Sequence, residues 1–392
     1  MSSQPIENDE AIAREPLLFQ PTAFRSVNLR NRVVVSPMAM YSAHDGFADD
    51  FHLVHLGRFA LGGAGLVFME ATAVAEQGRI TAGCNGLWLD AQIPPLKRIT
   101  DFLHRFGSAA GLQLGHSGWK GSSRRPWHGG TRLDDEDVKL RDEHPWPIVS
   151  VGEETFDDAV PGPTALTEGD LSALLESYRA ATRRAIAAGF DVVEIHAAHG
   201  YLLHSFLSHL SNKRRDRYGG SIENRMRFPL AVVEAARTEW PPDKPLFVRI
   251  SSADGVDVGW TIEDSVVFAK ALAARGVDLV DCSSGGMKLP RDKSLVARTP
   301  GFQVPFAAKI RKEAQIATMA VGLILAPQQA EAILQSGEAD LVALAREMLA
   351  HPNFAVQAAL ELEGAAGWDL WPDQFRYWLE RRAKTLKREG RA

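Results

Sequence analysis

The sequence predicts an α/β protein of the (β/α)8 TIM-barrel class, and three observations lead to that prediction. Short apolar or β-branched runs recur along the 392 residues, and each precedes a helix-like stretch, as in a parallel sheet. Eight such runs can be counted, which is the strand number of this barrel. Ser36, Pro37 and Met38 follow the first run, where a doubly wound dinucleotide-binding sheet would show a GxGxxG turn. In order, the runs are Arg32–Ser36, Leu66–Glu70, Gly111–Leu114, Asp191–Ile195, Leu246–Ile250, Asp278–Cys282, Ala317–Val321 and Asp340–Leu344.

The segments between the runs follow the same plan with two departures. Residues 167–188 show helical spacing of leucine and alanine behind Thr167, a good N-cap. Residues 121–163 are rich in Pro, Gly, Asp and Glu and are long for a loop, so we expect an excursion on the C-terminal face. It is either a solvated loop or a lid and substrate wall. No linker divides the chain, so residues 1–392 are predicted to form one domain with a C-terminal extension from about residue 364.

Composition excludes several classes of function. The net charge of −5 gives no support for nucleic acid or an acidic membrane as partner. The two cysteines, Cys84 and Cys282, lie far apart without a CxxC motif, which indicates neither disulfides nor a zinc site. No stretch approaches the roughly 18 apolar residues of a membrane helix, and the acidic N-terminus lacks a signal-peptide core. We therefore expect a cytoplasmic protein without a metal.

Polar residues at the C-terminal ends of barrel strands are candidates for function. Gly285 and Gly286 follow the sixth strand, Gly322 follows the seventh and Arg346 follows the eighth. Such glycines let backbone N–H groups approach an anion, and arginine can bind a phosphate with two parallel hydrogen bonds. The group predicts a phosphate site, although each glycine alone could be an ordinary turn residue.

His196 and His199 follow the fourth strand three residues apart, so their rings can converge on one small volume. A zinc site is the poorer interpretation, because the nearby carboxylate, Glu194, is expected in the alternate orientation on its strand. Tyr201 adds a phenol that stays protonated at neutral pH and can donate a proton to a carbanionic carbon. Two hydrogen-bond donors and a phenol suit protonation of a substrate carbon while the donors hold an adjacent substrate oxygen. The electrons for such a reduction must come from a flavin or nicotinamide, since no side chain carries a hydride.

Several motifs in this order resemble the Old Yellow Enzyme family of flavin-dependent ene-reductases, in particular its bacterial thermophilic-like branch with the xenobiotic reductases. The resemblance covers nearly the whole chain. It rests on NRVVVSPMAMYSA (31–43), MEATAV (69–74), QGRIT (77–81), LQLGH (112–116), GFDVVEIHAAHGYLLHSFLS (189–208), SNKRRDRYGGSIENRMRF (211–228), LFVRIS (246–251) and VDLVDCSSGG (277–286).

The resemblance implies bound FMN and a hydride donor, NADPH or NADH. It implies that His196 and His199 bind the substrate carbonyl oxygen, that Tyr41 contacts the substrate and that Tyr201 is the proton donor. Arg249 would lie near flavin N1, where a guanidinium favours the anionic reduced ring. The other FMN contacts implied are Ser36, Pro37, Met38, Ala39, Ala71, Gln113, Gly322, Ala345 and Arg346.

The chain departs from the family pattern at two positions. Ala39 stands where relatives in this branch carry a cysteine that contacts flavin and substrate, so we expect an altered flavin potential but retained FMN. Trp119 replaces an arginine of the HAGRK motif. The segment with Arg124, Pro126 and Trp127 resembles modules that act beside aromatic acyl-CoA oxygenases. Its mixture of cations and aromatic rings would suit a bulky or anionic ligand.

The function expected from these residues is reduction of an electron-poor alkene conjugated to a carbonyl, by hydride transfer from flavin N5 and protonation by Tyr201. Three alternatives stay open. One is reduction of an aromatic acyl-CoA thioester, another is a flavin-free barrel isomerase or lyase that uses the phosphate site, and the last is an accessory subunit without catalysis. The C-terminal run 371–377 resembles the family tail that reaches a neighbouring subunit, which implies a homodimer or homotetramer.

Overall fold

A computed structural model describes residues 16–153, 162–256, 258–287 and 296–391, and in it eight parallel strands close into a barrel. Each strand pairs with the next one along the chain and the last pairs with the first, so the predicted TIM barrel is confirmed. Every run predicted from the sequence overlaps one of these strands. They are β3 (Val33–Val35), β4 (Leu66–Ala73), β5 (Ala109–Gly115), β8 (Val192–Ala197), β9 (Leu246–Ser251), β10 (Leu279–Ser283), β11 (Ala317–Ala320) and β12 (Leu341–Leu344).

Helices pack around the barrel and return the chain from one strand to the next. The predicted helix behind Thr167 is confirmed as α4, and the Thr167 and Asp170 side chains form a capping box at its start. The helices are α1 (Asp50–Leu61), α2 (Ile93–Arg105), α3 (Asp135–Arg141), α4 (Glu168–Ala187), α5 (Leu202–Leu207), α6 (Ile222–Glu239), α7 (Ile262–Ala273), α8 (Val304–Ala314), α9 (Pro327–Gln335), α10 (Arg346–Ala350), α11 (Phe354–Glu363) and α12 (Asp373–Arg388).

An antiparallel hairpin, β1 (Thr22–Phe24) and β2 (Val27–Leu29), closes the N-terminal end of the barrel. Phe24 packs edge-on against Phe247 inside the barrel, with ring centroids 5.3 Å apart. The interior there is an apolar cluster that includes Val34, Phe68 and Met319, and all three are fully buried. Because this end is filled, a ligand can enter only from the opposite end, where the strands finish.

The excursion after β5 folds back onto the C-terminal face. It contains α3 and a short pair of strands, β6 (Val149–Ser150) and β7 (Thr164–Ala165), while its residues 154–161 lie outside the described residues. The Arg124 guanidinium forms ion pairs with Asp137 at 2.8 Å and Asp134 at 2.6 Å. Arg124 therefore holds the excursion together, whereas a ligand for the cations and aromatic rings of this segment stays a prediction.

The chain ends in a 3-10 turn, 364–370, followed by α12. Helix α12 has no buried residue, and it exposes the aromatic side chains of Phe375, Tyr377 and Trp378. Within the part of the chain that the structure describes, no helix is long and apolar enough to cross a membrane.

Candidate active site

The two histidines predicted as substrate ligands lie together at the end of β8. His196 points into the barrel, and His199 lies on the turn that follows, with ring centroids 5.2 Å apart. His199 has a φ of 60° and Gly200 a φ of 73°, so two consecutive residues of this turn are left-handed. That conformation brings the second ring back over the barrel mouth, beside the first.

Tyr201 occupies the N-cap position of α5, directly after this turn. Its ring packs edge-on against His196 at a centroid distance of 5.0 Å, and the Lys120 ammonium lies 5.3 Å from its centroid. Tyr201 is half-buried, and burial raises the pKa of the phenol. Tyr201 therefore keeps its proton at neutral pH and can act as an acid.

The histidines are neutral for a related reason. Burial, together with the positive charge of Arg249, lowers the pKa of both His196 and His199 well below its usual range. A neutral imidazole carries one N–H, and its neighbours decide which nitrogen bears it. The Nδ1 atom of His196 is buried without a hydrogen-bond partner among the described residues, which leaves it for a ligand.

A hydrogen-bond chain sets the proton position of His199. The Gln303 amide donates to the Ser283 hydroxyl oxygen at 3.1 Å, and that oxygen lies 2.7 Å from His199 Nε2. Because the hydroxyl accepts from Gln303, its own hydrogen is available for Nε2. The arrangement favours the tautomer of His199 with its proton on Nδ1, ready to donate.

Four polar side chains from neighbouring strands fill the barrel interior beside the histidines. Gln113 donates to Glu194 at 2.8 Å, and Arg249 donates to the Ser36 hydroxyl at 2.8 Å. Asp281 lies 3.2 Å from Arg249 Nε. Burial, followed by the charge of Asp281, raises the pKa of Glu194, and burial raises the pKa of Asp281. These shifts favour a proton on one of the two acids. The cluster then carries less negative charge than two ionised carboxylates would give it.

The orientation expected for Glu194 is wrong. Residues two apart on a strand point to the same face, so Glu194 and His196 both point into the barrel. Glu194 is fully buried and its contact is with Gln113, not with the histidine rings. Among the residues that the structure describes, no group of three His, Cys, Asp or Glu side chains could hold a metal ion.

A cavity of about 560 Å³ opens beside the histidine turn at the ends of β9 to β12. That volume lies within the range of about 300–1,000 Å³ of small-molecule sites. The predicted residues that line it are His199, Tyr201, Arg249, Gly286, Gly322, Ala345 and Arg346. Gly285 faces another way, because its N–H donates to the Ala253 carbonyl and its own carbonyl accepts from Ser251.

Gly286 has a structural reason to be glycine besides the predicted phosphate. A Cβ atom there would lie 2.2 Å from the Cα atom of His199, so the two backbones touch. The Lys120 ammonium bridges them by donating to the His199 and Gly286 carbonyl oxygens, the first at 2.6 Å. Burial lowers the pKa of Lys120 to about 8. The sequence reasoning did not select Lys120, although a cation just past the end of a barrel strand was a usable signal.

The loop after β3 carries the remaining predicted residues, Ser36 to Tyr41. A β4 carboxylate, Glu70, accepts the backbone N–H of Met40 and also contacts His52 Nε2 at 3.2 Å. The excursion reaches this loop as well, since Arg125 Nε donates to the Tyr41 carbonyl at 2.9 Å. Tyr41 has a φ of 54°, and burial raises its pKa to about 12. Pro37, Met38 and Ala39 are half-buried between these anchors.

Ala71 lies at an irregularity of β4, where the pairing register with β5 shifts between Met69 and Thr72. A shift of this kind re-aims the strand. Ala71 then lines a small cavity together with His196, Tyr201 and Cys84. Two further residues that the sequence reasoning missed, Arg298 and Gln303, line the large cavity and lie on the segment before α8.

The family model for NADH:flavin oxidoreductase / NADH oxidase matches residues 17–364, which is most of the chain. The chain belongs to this family. The flavin oxidoreductase membership predicted from the motifs is thereby confirmed, and with it an enzyme that uses FMN and NAD(P)H. The flavin-free isomerase or lyase is no longer a candidate.

NADPH dehydrogenases from two bacteria and the solved structure of morphinone reductase are similar over nearly the whole chain. The NADPH dehydrogenase of Geobacillus sp. (strain WCH70) is 42% identical over 350 residues, which cover 89% of this chain and 95% of that protein. The NADPH dehydrogenase of Listeria innocua is 43% identical over 344 residues, 87% of this chain and 94% of that protein. Among solved structures, morphinone reductase superposes with a TM-score of 0.70 at 27% identity, covering 89% of this chain and 91% of that one.

The residues around the large cavity fit FMN. Arg249 is buried at its inner wall, and its Nε has no hydrogen bond among the described residues, although Asp281 lies nearby. Arg346 lies at the exposed rim, where a phosphate could meet its charge. Gly322 also lines the cavity. It has a φ of 119° and presents its backbone without a side chain. Two arginine side chains, one buried and one exposed, thus line the same cavity.

Proposed function

We propose that this flavin oxidoreductase reduces carbon–carbon double bonds conjugated to a carbonyl group. The observation that carries the proposal is the cluster of two neutral histidines and a protonated tyrosine at one end of the barrel. His196 and His199 would donate hydrogen bonds to the carbonyl oxygen of the substrate. Tyr201 would then protonate the α-carbon. Bound FMN would supply the hydride for the β-carbon, taken from NADPH or NADH.

The roles of the histidines follow from their charge. A neutral donor binds the uncharged substrate carbonyl only modestly and stabilises the negative charge that develops on its oxygen during reduction. Burial disfavours a charged imidazole and the nearby charge of Arg249 repels it, and both effects lower the pKa of His196 and His199. Tyr41 would form the substrate wall, because Trp127 of the excursion packs against its ring at 6.0 Å.

We assign the FMN contacts to residues at the ends of several barrel strands. Gln113 and Arg249 would meet the polar edge of the ring, and Arg346 would meet the phosphate. Gln113 is oriented for this by its hydrogen bond to Glu194. The full proposed set is Ser36, Pro37, Met38, Ala39, Ala71, Gln113, Arg249, Gly286, Gly322, Ala345 and Arg346, and it leaves out Gly285, whose backbone groups are bonded to Ala253 and Ser251.

The proposal is tested by separating the two half-reactions. The purified enzyme is reduced anaerobically with NADPH or NADH, and the bleached flavin is mixed with an enone, a nitroaromatic or an aromatic acyl-CoA. We expect rapid return of flavin absorbance with the enone and a product saturated at the α and β carbons. Reoxidation by the thioester alone would favour the acyl-CoA alternative, and no reoxidation by any alkene would refute the proposal. Failure of both nicotinamides to bleach the flavin would point to an accessory subunit.

We also propose that the enzyme works in the cytoplasm as a homodimer or homotetramer. The exposed aromatic residues of α12, Phe375, Tyr377 and Trp378, form the surface that supports self-association. Light scattering coupled to size exclusion tests the assembly, and deletion of residues 373–391 tests the surface. A full-length chain that elutes as a monomer at micromolar concentration would refute this part.

A further inference from the structure

The left-handed turn that carries His199 is held by an unusual number of neighbours. The His199 N–H donates to the Ser251 hydroxyl at 2.9 Å, and Lys120 donates to its carbonyl at 2.6 Å. A non-glycine residue at positive φ costs roughly 1–2 kcal/mol, so the conformation persists only where the surroundings enforce it. The next residue, Gly200, is fixed by a different group, which no step of the proposed reaction uses.

That group is His204, which lies in the first turn of α5 and is fully buried. The Gly200 N–H donates to His204 Nδ1 at 2.8 Å. A nitrogen that accepts a hydrogen bond bears no proton, so the neutral ring must carry its hydrogen on Nε2. The ring is thus fixed in one tautomer by the backbone of the turn that it supports.

The other side of the ring meets a buried carboxylate. His204 Nε2 lies 3.0 Å from Asp254 Oδ1, and both side chains are fully buried. The contact lacks the geometry of a hydrogen bond, and neither atom has a hydrogen-bond partner among residues 16–153, 162–256, 258–287 and 296–391. Because an unpaired buried carboxylate oxygen is costly, each atom depends on the other.

Asp254 is itself anchored at its second oxygen. Oδ2 accepts from the Ser208 hydroxyl at 2.6 Å and from the Trp260 N–H at 2.7 Å. Asp254 follows β9, the strand that bears Arg249, whereas Gly200 follows β8. The series Asp254, His204 and Gly200 therefore ties together two neighbouring loops at the barrel mouth, because β8 and β9 are paired strands.

We propose that His204 and Asp254 are positioning residues for alkene reduction. They fix the Gly200 amide and, through it, the relative placement of His199 and Tyr201, while neither touches the substrate. The inference rests on the proposed function, because it assigns the two catalytic side chains as that function does. A histidine that merely fills the core would instead be replaceable by any polar side chain of similar size.

Two substitutions of His204 distinguish a positioning role from a core-filling role, because each keeps a polar atom near one of the two ring nitrogens. Asparagine places its amide oxygen where Nδ1 lies, so His204→Asn keeps an acceptor for Gly200 and loses the donor to Asp254. Glutamine places its amide nitrogen near Nε2, so His204→Gln keeps that donor and loses the acceptor. We expect the rate of flavin reoxidation by an enone to stay near the parental value in His204→Asn and to fall on the order of 10–100-fold in His204→Gln.

Stability should change in the opposite order. His204→Asn leaves Asp254 Oδ1 buried without a partner, whereas His204→Gln retains it, so the thermal midpoint should be lower for His204→Asn. Reduction of the flavin by NADPH should stay at the parental rate in both variants, because no proton donor on the turn takes part in that half-reaction. Equal losses of enone reduction in the two variants, or no loss in His204→Gln, would overturn the proposal.

A measurement on the parental enzyme provides a second test if a variant fails to fold. Nitrogen NMR of ring-labelled histidine should show His204 as the neutral tautomer with its proton on Nε2, assigned by the signal that is missing from either variant. A proton on Nδ1 would exclude the Gly200 hydrogen bond and overturn the proposal. If the parental enzyme reduces no alkene while His204 shows the expected tautomer, it is the proposed function that has failed, and the hydrogen-bond series stands as structure alone.

Discussion

Replacement of Tyr201 by phenylalanine removes one oxygen atom and tests the central step of the proposed reaction. The ring keeps its packing against His196, at 5.0 Å, and under the Lys120 ammonium, at 5.3 Å, so the fold should be unaffected. What is lost is the proton donor. A positioned general acid contributes about 10²–10⁴-fold to a rate.

The structure favours the lower end of this range. Tyr201 lines the 560 Å³ cavity, so water can approach the place of the missing hydroxyl and supply a proton slowly. Lys120 lies beside the ring with its pKa lowered to about 8, which makes it a second, misplaced donor. We therefore expect a loss of about 10²-fold in reoxidation by an enone, or about 2.7 kcal/mol of transition-state free energy.

The assay is anaerobic stopped-flow absorbance in single turnover. The first syringe contains enzyme already reduced by NADPH and the second contains the enone. Reduction by NADPH is measured separately and should keep the parental rate constant.

Tyr178→Phe is the matched control, because Tyr178 is a fully buried tyrosine in α4 whose hydroxyl has no hydrogen-bond partner among the described residues. It should change neither half-reaction. Enone reduction at the parental rate in Tyr201→Phe would refute the assignment of the proton donor.

Further predictions concern the same end of the barrel. His199→Ala should slow enone reduction by roughly 10²-fold, since one lost donor costs on the order of 3 kcal/mol, and an unchanged single-turnover rate would contradict its role. Gly286→Ala should displace His199, because the new Cβ would lie 2.2 Å from the Cα atom of His199. Gly285→Ala is the control, since a Cβ there meets no atom within 4 Å, and enone turnover should be at least tenfold lower in Gly286→Ala than in this control. Both variants share the cost of positive φ, about 1 kcal/mol in the thermal unfolding free energy. Because burial raises the pKa of Tyr201 above its usual value near 10, the rate of enone reduction should not decline from pH 7 to about 10 by loss of this proton, and a break in that range that vanishes in Tyr201→Phe would contradict the shift. Ala39→Cys should move the flavin midpoint potential without weakening FMN binding, as measured by redox titration and fluorescence.

Much of the fold could be predicted because its signals are local. Each barrel strand is a short apolar run, and each is buried on both faces as a parallel strand must be. The helix behind Thr167 could be predicted for the same reason, since a cap and an apolar period are contained within its own residues. The structure of the excursion was harder to predict, because Arg124 pairs with Asp134 and Asp137 only once the segment has folded upon itself.

The candidate site divides in the same way. His196, His199 and Tyr201 are close in sequence, so their proximity follows from a strand that ends in a turn. Lys120 lies in the loop after β5 and Gln303 lies directly before α8, and nothing in their own neighbourhoods shows that one holds the turn or that the other orients Ser283.

The sequence alone determined the barrel, the strand ends that carry function and the three side chains proposed for binding and protonation, because periodicity and short motifs act over a few residues. Only the tertiary structure decided the protonation of those side chains. The neutral state of His196 and His199 depends on burial and on Arg249 from another strand, and the tautomer of His204 depends on the Gly200 N–H at one nitrogen, with Asp254 beside the other. Charge and hydrogen-bond direction are set by whatever surrounds a group in space, and closure of the barrel brings those groups together.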